Sequence, residues 1–219
     1  MSVNFEENLV DIKAKVTTIG KGLLESNKFL LEALKDCDEK KFNEARSHIK
    51  NVSSKTDDID NCIVKVLALY TPEATDLRHV IAYLKITNDL SRASSSTRSF
   101  IRGFTDVCAD VDVETINEYA VPMQASTVRA IELALSMLEC DDPDEVQELY
   151  NEVLIEENKT DDLYEMVERN LSLQADGSSS FEKFHKMLRA LRKSGKVASR
   201  TISIANLLVY AKVGGALRS

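Results

Sequence analysis

Lys55-Thr56-Asp57-Asp58 returns unchanged as Lys159-Thr160-Asp161-Asp162, 104 positions later. A tetrapeptide alone decides little, so the test is whether the same offset keeps working on either side of it. It does: Leu31 matches Leu135, Leu34 matches Leu138, Asp38 matches Asp142 and Glu44 matches Glu148. Downstream the register continues through Leu67 and Leu171, Leu84 and Leu188, and Ser95 and Ser199. The 219 residues therefore read as two copies of one unit. The period is too long for a solenoid repeat of roughly 20–50 residues.

Composition says what each unit is made of. The chain is 43% hydrophobic and 29% charged, with 7 Gly, 3 Pro and no Trp. Few breakers and many helix formers predict an all-helical protein. Its length allows a sizeable core without staples. Cys37, Cys62, Cys108 and Cys140 form no C-x-x-C pair and have no histidine at ligand spacing. They are expected to be reduced, packed thiols, with no zinc or disulfide role. Met1 to Glu7 shows no basic stretch leading into an apolar core, and Ile202 to Ala211 is about half the length a bilayer needs. A cytoplasmic protein is the expectation.

Caps divide the chain. Thr71-Pro72 sets a hydroxyl before a proline whose missing N–H costs nothing in a first helical turn, and Asp142-Pro143 repeats the device. Asp38 is the matching cap upstream. The predicted helices span 6–36, 39–70 and 72–104, then 114–139, 143–174 and 179–212, with Pro122 kinking or delaying the fourth. Apolar residues such as Ile59, Ile63 and Val66, or Leu77, Ile81 and Leu84, recur at steps of three and four. Each helix thus has one buried face. Six long helices form a tandem pair of three-helix bundles, residues 1–108 and 113–219, packed as one body.

Charge is unevenly spread. From Lys183 to Ser219 there are nine basic and no acidic residues, against a net charge of −8 for the whole chain. Arg189, Arg192, Lys193, Lys196 and Arg200 fall on neighbouring turns and form a stripe. Its plain reading is a solvated face paired with acidic helices. Its functional reading is a docking surface for an acidic partner or an anionic membrane face. Nucleic acid is not expected, because the chain is acidic and no aromatic residues interleave with the stripe. His48, His79 and His185 stand alone, without a nucleophile elbow or glycine-rich phosphate loop, so no enzyme is expected.

The segment Asp57 to Arg92 resembles the PhoU family of phosphate-uptake regulators. The resemblance is strongest at Pro72-x-Ala74-x-Asp76-Leu77-Arg78, at Leu84-Lys85-Ile86 and at Asp89-Leu90-x-Arg92. It extends over nearly the whole chain, because the family is itself a tandem duplication of three-helix bundles. It implies a regulator that couples a phosphate transporter to a sensor histidine kinase, with Asp76, Arg78 and Arg92 in the best-preserved patch. Arg189, Arg192, Lys193 and Lys196 are the candidate docking face beside it. It also implies contact with the membrane face through a transporter, and a homodimer.

The departures matter as much. The family carries a carboxylate-x-x-x-Asp motif on the second helix of each copy and Glu-Arg-Ile-Gly-Asp on the third. Carboxylates four apart share a helical face and can offer oxygen ligands to hard metal ions. Here those motifs read Thr56-x-x-x-Asp60 and Thr160-x-x-x-Tyr164, then Ser91-Arg92-Ala93-Ser94-Ser95 and Gly195-Lys196-Val197-Ala198-Ser199. Only Asp60 stays in register. No cofactor is therefore expected. The fallback ligands for a divalent or iron ion are Asp57, Asp58, Asp60, Glu157, Asp161 and Asp162, with a one-residue shift reviving Glu157-x-x-x-Asp161. Two uses of the small residues are open: a tight helix contact, or an anion site in which Ser94-Ser95-Ser96-Thr97 works with Arg92, Arg98 and Arg102. The alternatives to a contact-based regulator are a metal-binding bundle and an accessory subunit of a secondary phosphate transporter.

Overall fold

Helix starts follow from side chains that take up the otherwise orphaned first-turn N–H groups. Asp38 accepts from Lys40 N at 2.8 Å and Lys41 N at 3.4 Å. Asp142 accepts from Asp144 N at 2.9 Å and Glu145 N at 3.0 Å. Asp112 is a third cap, accepting from the Thr115 amide at 2.8 Å and its hydroxyl at 2.9 Å. A computed structural model describes residues 3–174 and 178–215. Its helices are α1 (Val3–Asp36), α2 (Glu39–His48), α3 (Val52–Leu69), α4 (Ala74–Asp110), α5 (Val113–Glu139), α6 (Pro143–Gln174) and α7 (Ser178–Lys212). The described residues are all-helical apart from turns and short connections, and Arg218 of the basic segment lies outside them.

Three local expectations need correction. The span 39–70 is broken into α2 and α3 at Ile49–Asn51, with Asn51 in the left-handed region at φ 56°. Asparagine tolerates that conformation better than most residues. The break lets Ile49 enter the core, and Arg98 takes its carbonyl at 3.0 Å. Gly22 of α1 makes room for the end of α2, since a Cβ there would stand 2.8 Å from the His48 carbonyl oxygen. Thr71 is not the cap of α4: the helix starts at Ala74, with the Glu73 carbonyl accepting from Asp76 N at 2.8 Å. Pro122 does not delay α5, which begins at Val113 and runs through it.

The four long helices α1, α4, α7 and α5 pack in a closed ring, with α4 against α7 the most extensive contact. The α2–α3 pair lies outside α1 and α4, and α6 lies outside α5 and α7. Two apolar clusters are stacked along the bundle. One holds Ile12, Leu23, Ile59 and Ile86 with Ile131 and Leu208. The other holds Leu30, Phe100 and Phe104 with Ile116, Met123 and Leu191. Both draw on residues from before and after Val111.

Between the clusters every ring helix contributes polar groups at the same height. Asn27 donates to the Thr97 hydroxyl at 3.2 Å, and Gln124 Nε2 donates to Asn27 Oδ1 at 3.0 Å. Ser194 donates to Gln124 Oε1 at 2.8 Å and lies 2.9 Å from the Thr127 hydroxyl. All five side chains are buried. Of the small residues that the sequence places in a tight helix contact, Thr97 belongs to this polar layer across the ring, whereas the buried Ser94 hydroxyl has no partner.

The cysteine reading is overturned in part. Cys37 and Cys108 are joined in a disulfide, with Cα atoms 5.8 Å apart, while Cys62 and Cys140 are free. The bond links the end of α1 to the end of α4. Its partners are 71 residues apart in the sequence, and the parallel packing of those two helices, which sets their C-terminal ends side by side, brings them together.

Candidate functional site

The face between α3 and α4 is where the first copy's motif residues meet. Thr56 is buried and donates to the Ser53 carbonyl at 2.7 Å, so its hydroxyl is spent within its own helix. Asp60 Oδ1 is buried without a hydrogen-bond partner. Burial, and secondarily Asp57, push the Asp60 carboxyl above the usual range. A groove of about 340 Å³ opens beside it, and the α4 groups facing it are Leu84, Lys85, Asn88 and Ser91. None is a carboxylate and one is a cation. Asp57 and Asp58 are exposed.

In the second copy Thr160 is buried and donates to the Glu156 carbonyl at 2.9 Å. Tyr164 lies under the Arg192 guanidinium, 5.8 Å from ring centroid to Cζ. Glu157 is half-buried and accepts from the Ser199 hydroxyl at 3.2 Å. Burial first, then Asp161, push its carboxyl up, against the Ser199 hydrogen bond. The one-residue shift thus does bring Glu157 opposite the third-helix residue Ser199, while Asp161 and Asp162 are exposed. Hard cations need several oxygen ligands in one place. Among the described residues no three His, Cys, Asp or Glu side chains converge in a way that could hold a metal ion. The residues present do not fit the metal cluster that the family pattern implies.

The well-preserved start of α4 holds its two charged residues apart. Asp76 lines a surface pocket of about 440 Å³ with Phe5, Tyr70 and Pro72. Arg78 donates to the Thr75 hydroxyl at 3.1 Å and packs near Gly214, while its Nε is buried without a partner. Further along α4, Asp89 receives Arg200 at 3.2 Å. Burial raises the Asp89 carboxyl more than Arg200, Arg92 and Lys85 lower it. Arg92 is exposed beside this pair.

The basic segment from Lys183 onward, which includes the stripe, divides. Arg200, Lys186 and Lys212 find acidic partners in Asp89, Asp110 and Asp141. Arg189, Arg192, Lys193 and Lys196 make no ion pair among the described residues, so the solvated-and-paired reading holds only at the margins of the stripe. They line a groove of about 660 Å³ between α4 and α7, joined from the α4 wall by Arg102. Its floor is small, Ser99, Gly103 and Ala190, and a Cβ on Gly103 would come within 3.2 Å of the Ala190 Cβ. By local spacing Arg102 falls with the Ser94–Thr97 run. That run does not converge on one anion: Ser94 and Thr97 are buried and Arg98 is turned to Ile49. Arg102 belongs with residues some 90 positions downstream, which no local spacing could announce.

Comparison with known proteins completes the picture. Residues 16–101 match the PhoU domain family. The fold superposes on PhoU from Pseudomonas aeruginosa with a TM-score of 0.84 at 20% identity, covering 96% of this chain and 100% of that one. It superposes on the phosphate transport system regulatory protein PhoU from Streptococcus pneumoniae with a TM-score of 0.79 at 16% identity, covering 96% and 98%. No curated protein matches the chain.

Proposed function

We infer from the match of residues 16–101 to the PhoU domain family that the chain is a PhoU-like regulator of phosphate uptake and phosphate signalling that acts by protein contact. Its partners are a phosphate transporter, a sensor histidine kinase, or both, and it performs no catalysis. The observation that carries this reading is the PhoU domain set in a fold that matches PhoU proteins along almost its full length. In support, no helix among the described residues is long and apolar enough to cross a membrane. Contact with the membrane face through the transporter, and a cytoplasmic working place, belong to the same proposal.

The docking surface is the start of α4, with Asp76 and Arg78, continuing through Arg92 to the unpaired cations Arg189, Arg192, Lys193 and Lys196. The two repeats, 1–108 and 113–219, present it as one body, and the protein works as a homodimer. Metal plays no part in this reading, because the carboxylates Asp57, Asp58, Asp60, Glu157, Asp161 and Asp162 stand singly or in pairs. Purified transporter and kinase cytoplasmic portions from the same phosphate system should retain the protein on a column, with EDTA making no difference. Charge reversal at Arg78 and Arg92 should weaken retention at least about tenfold, as for truncated interface charge pairs. Failure to retain it, or retention abolished by EDTA together with stoichiometric bound metal, refutes the reading.

A further inference from the structure

We propose that the groove between α4 and α7 is a binding site for an oligophosphate, a linear chain of three or more phosphoryl groups. The inference goes beyond the regulator reading and does not depend on it, because it concerns the isolated protein.

Charge comes first. Arg102, Arg189, Arg192, Lys193 and Lys196 converge on one groove with no ion pair among the described residues, and Lys186 closes one end through its 3.0 Å bridge to Asp110. Asp106 is the single acid in the lining. The net charge of the chain is −8, so this concentration of unpaired cations is a local exception to its surface. Holding like charges together is unfavourable without a counterion, and a multiply charged anion supplies one.

Shape then narrows the ligand. Lys186 to Lys196 spans ten helical residues, about 15 Å at the usual rise, with Arg102 opposite on the other wall. A single orthophosphate reaches only part of that row, whereas a chain of phosphoryl groups meets it along its length. Small floor residues leave the trough deep, so the cations stand as two rims around an inserted chain. Arginine forks suit the non-bridging oxygens of such a chain.

The lining also disfavours other occupants. It contains no aromatic residue to stack a base and no large apolar side chain to anchor a peptide within the trough, so the protein partner of the regulator reading meets only the rim cations. A bilayer presents a flat sheet of headgroups, which meets the rims and not the floor.

The test is calorimetric titration of the full chain with sodium tripolyphosphate, ATP, orthophosphate, a polyglutamate peptide and phosphatidylglycerol vesicles. Tripolyphosphate is expected to bind one to one, at least about a hundredfold tighter than orthophosphate, and to weaken steeply with salt. ATP binding equal to tripolyphosphate places recognition in the phosphate chain alone, and tighter ATP binding identifies a nucleotide as the source. The Arg189→Glu/Lys193→Glu variant should lose at least about tenfold, while Lys65→Glu, an exposed charge on another face, should not. Asp106→Asn should bind more tightly than wild type, a gain that misfolding cannot imitate. Tripolyphosphate no better than orthophosphate, binding confined to polyglutamate or vesicles, or an Asp106→Asn variant with unchanged affinity overturns the proposal.

Discussion

Replacing Gln124 by leucine tests the polar layer between the two cores most directly. Gln124 Nε2 donates to Asn27 Oδ1 at 3.0 Å and to the Asn27 carbonyl at 3.3 Å, and its Oε1 accepts from Ser194 at 2.8 Å. Ser194 keeps a partner in Thr127, and the Asn27 carbonyl stays within its own helix, so the group stranded by the change is Asn27 Oδ1. The one hydrogen bond lost without replacement, to Asn27 Oδ1, at about 1 kcal/mol, and the buried orphan it leaves at about 1–3 kcal/mol give a cost of about 2–4 kcal/mol. For a chain of this size that corresponds to a fall in Tm of roughly 6–12 °C. Asn27→Leu/Gln124→Leu removes both partners and leaves two apolar side chains facing each other. The Thr97 hydroxyl still donates to the Ala93 carbonyl at 3.1 Å, so nothing new is orphaned. The double variant should therefore be at least as stable as Gln124→Leu, a strongly non-additive cycle. Urea unfolding of the four proteins provides the numbers. A single-variant cost below about 1 kcal/mol, or a double variant that simply adds the two losses, would refute the reasoning.

Three other outcomes follow from the same structure. Thiol titration of the unfolded, unreduced protein should find only Cys62 and Cys140, and reducing the Cys37–Cys108 bond, which closes a loop of 71 residues, should cost about 4 kcal/mol on the chain-entropy estimate. Asp60 and Glu157 have folded-state carboxyls raised above their unfolded values, so the native state holds their protons to higher pH and stability declines as pH rises through the raised values. Asp60→Asn and Glu157→Gln should thus gain on wild type in unfolding experiments at pH 7 and show no gain at pH 3, whereas a loss at pH 7 would mean these carboxylates hold a cation. Gly22→Ala drives a Cβ to 2.8 Å from the His48 carbonyl oxygen and should destabilise by about 1–3 kcal/mol. Gly195→Ala meets only Met123 Cε at 3.5 Å and should stabilise by about 0.5–1 kcal/mol, both read from thermal melts.

The fold was legible because it rests on signals that repeat: the offset of 104, the steps of three and four, and the aspartates Asp38 and Asp142 at helix starts. What escaped were features made by packing. The stretch Ile49-Lys50-Asn51 has no Gly or Pro, and it breaks because Ile49 is worth burying and Arg98 can take its carbonyl. Thr71 offered a cap that the backbone of Glu73 made unnecessary. The cysteine pair carries no spacing code, since its geometry belongs to the ends of α1 and α4. The candidate sites show the same division. Missing carboxylates at 56, 91 and 95 could be read by eye, but the Glu157–Ser199 contact and the union of Arg102 with the α7 cations required the helices to be set side by side.

The break between α2 and α3 gives the protein two kinds of outer rod. The α6 rod is one continuous ladder of 32 residues, whereas α2 is 10 residues long, below the length at which an isolated helix holds together. Its hold on the body is local: buried Phe42 and Ala45, and the Ser26 hydroxyl on the Ala45 carbonyl at 2.7 Å. Amide protons of α2 should therefore exchange with solvent through an opening that leaves α3 and the central ring closed, while those in the middle of α6 wait for a much larger event. The duplicated scaffold is in this sense cooperative on one flank and segmented on the other.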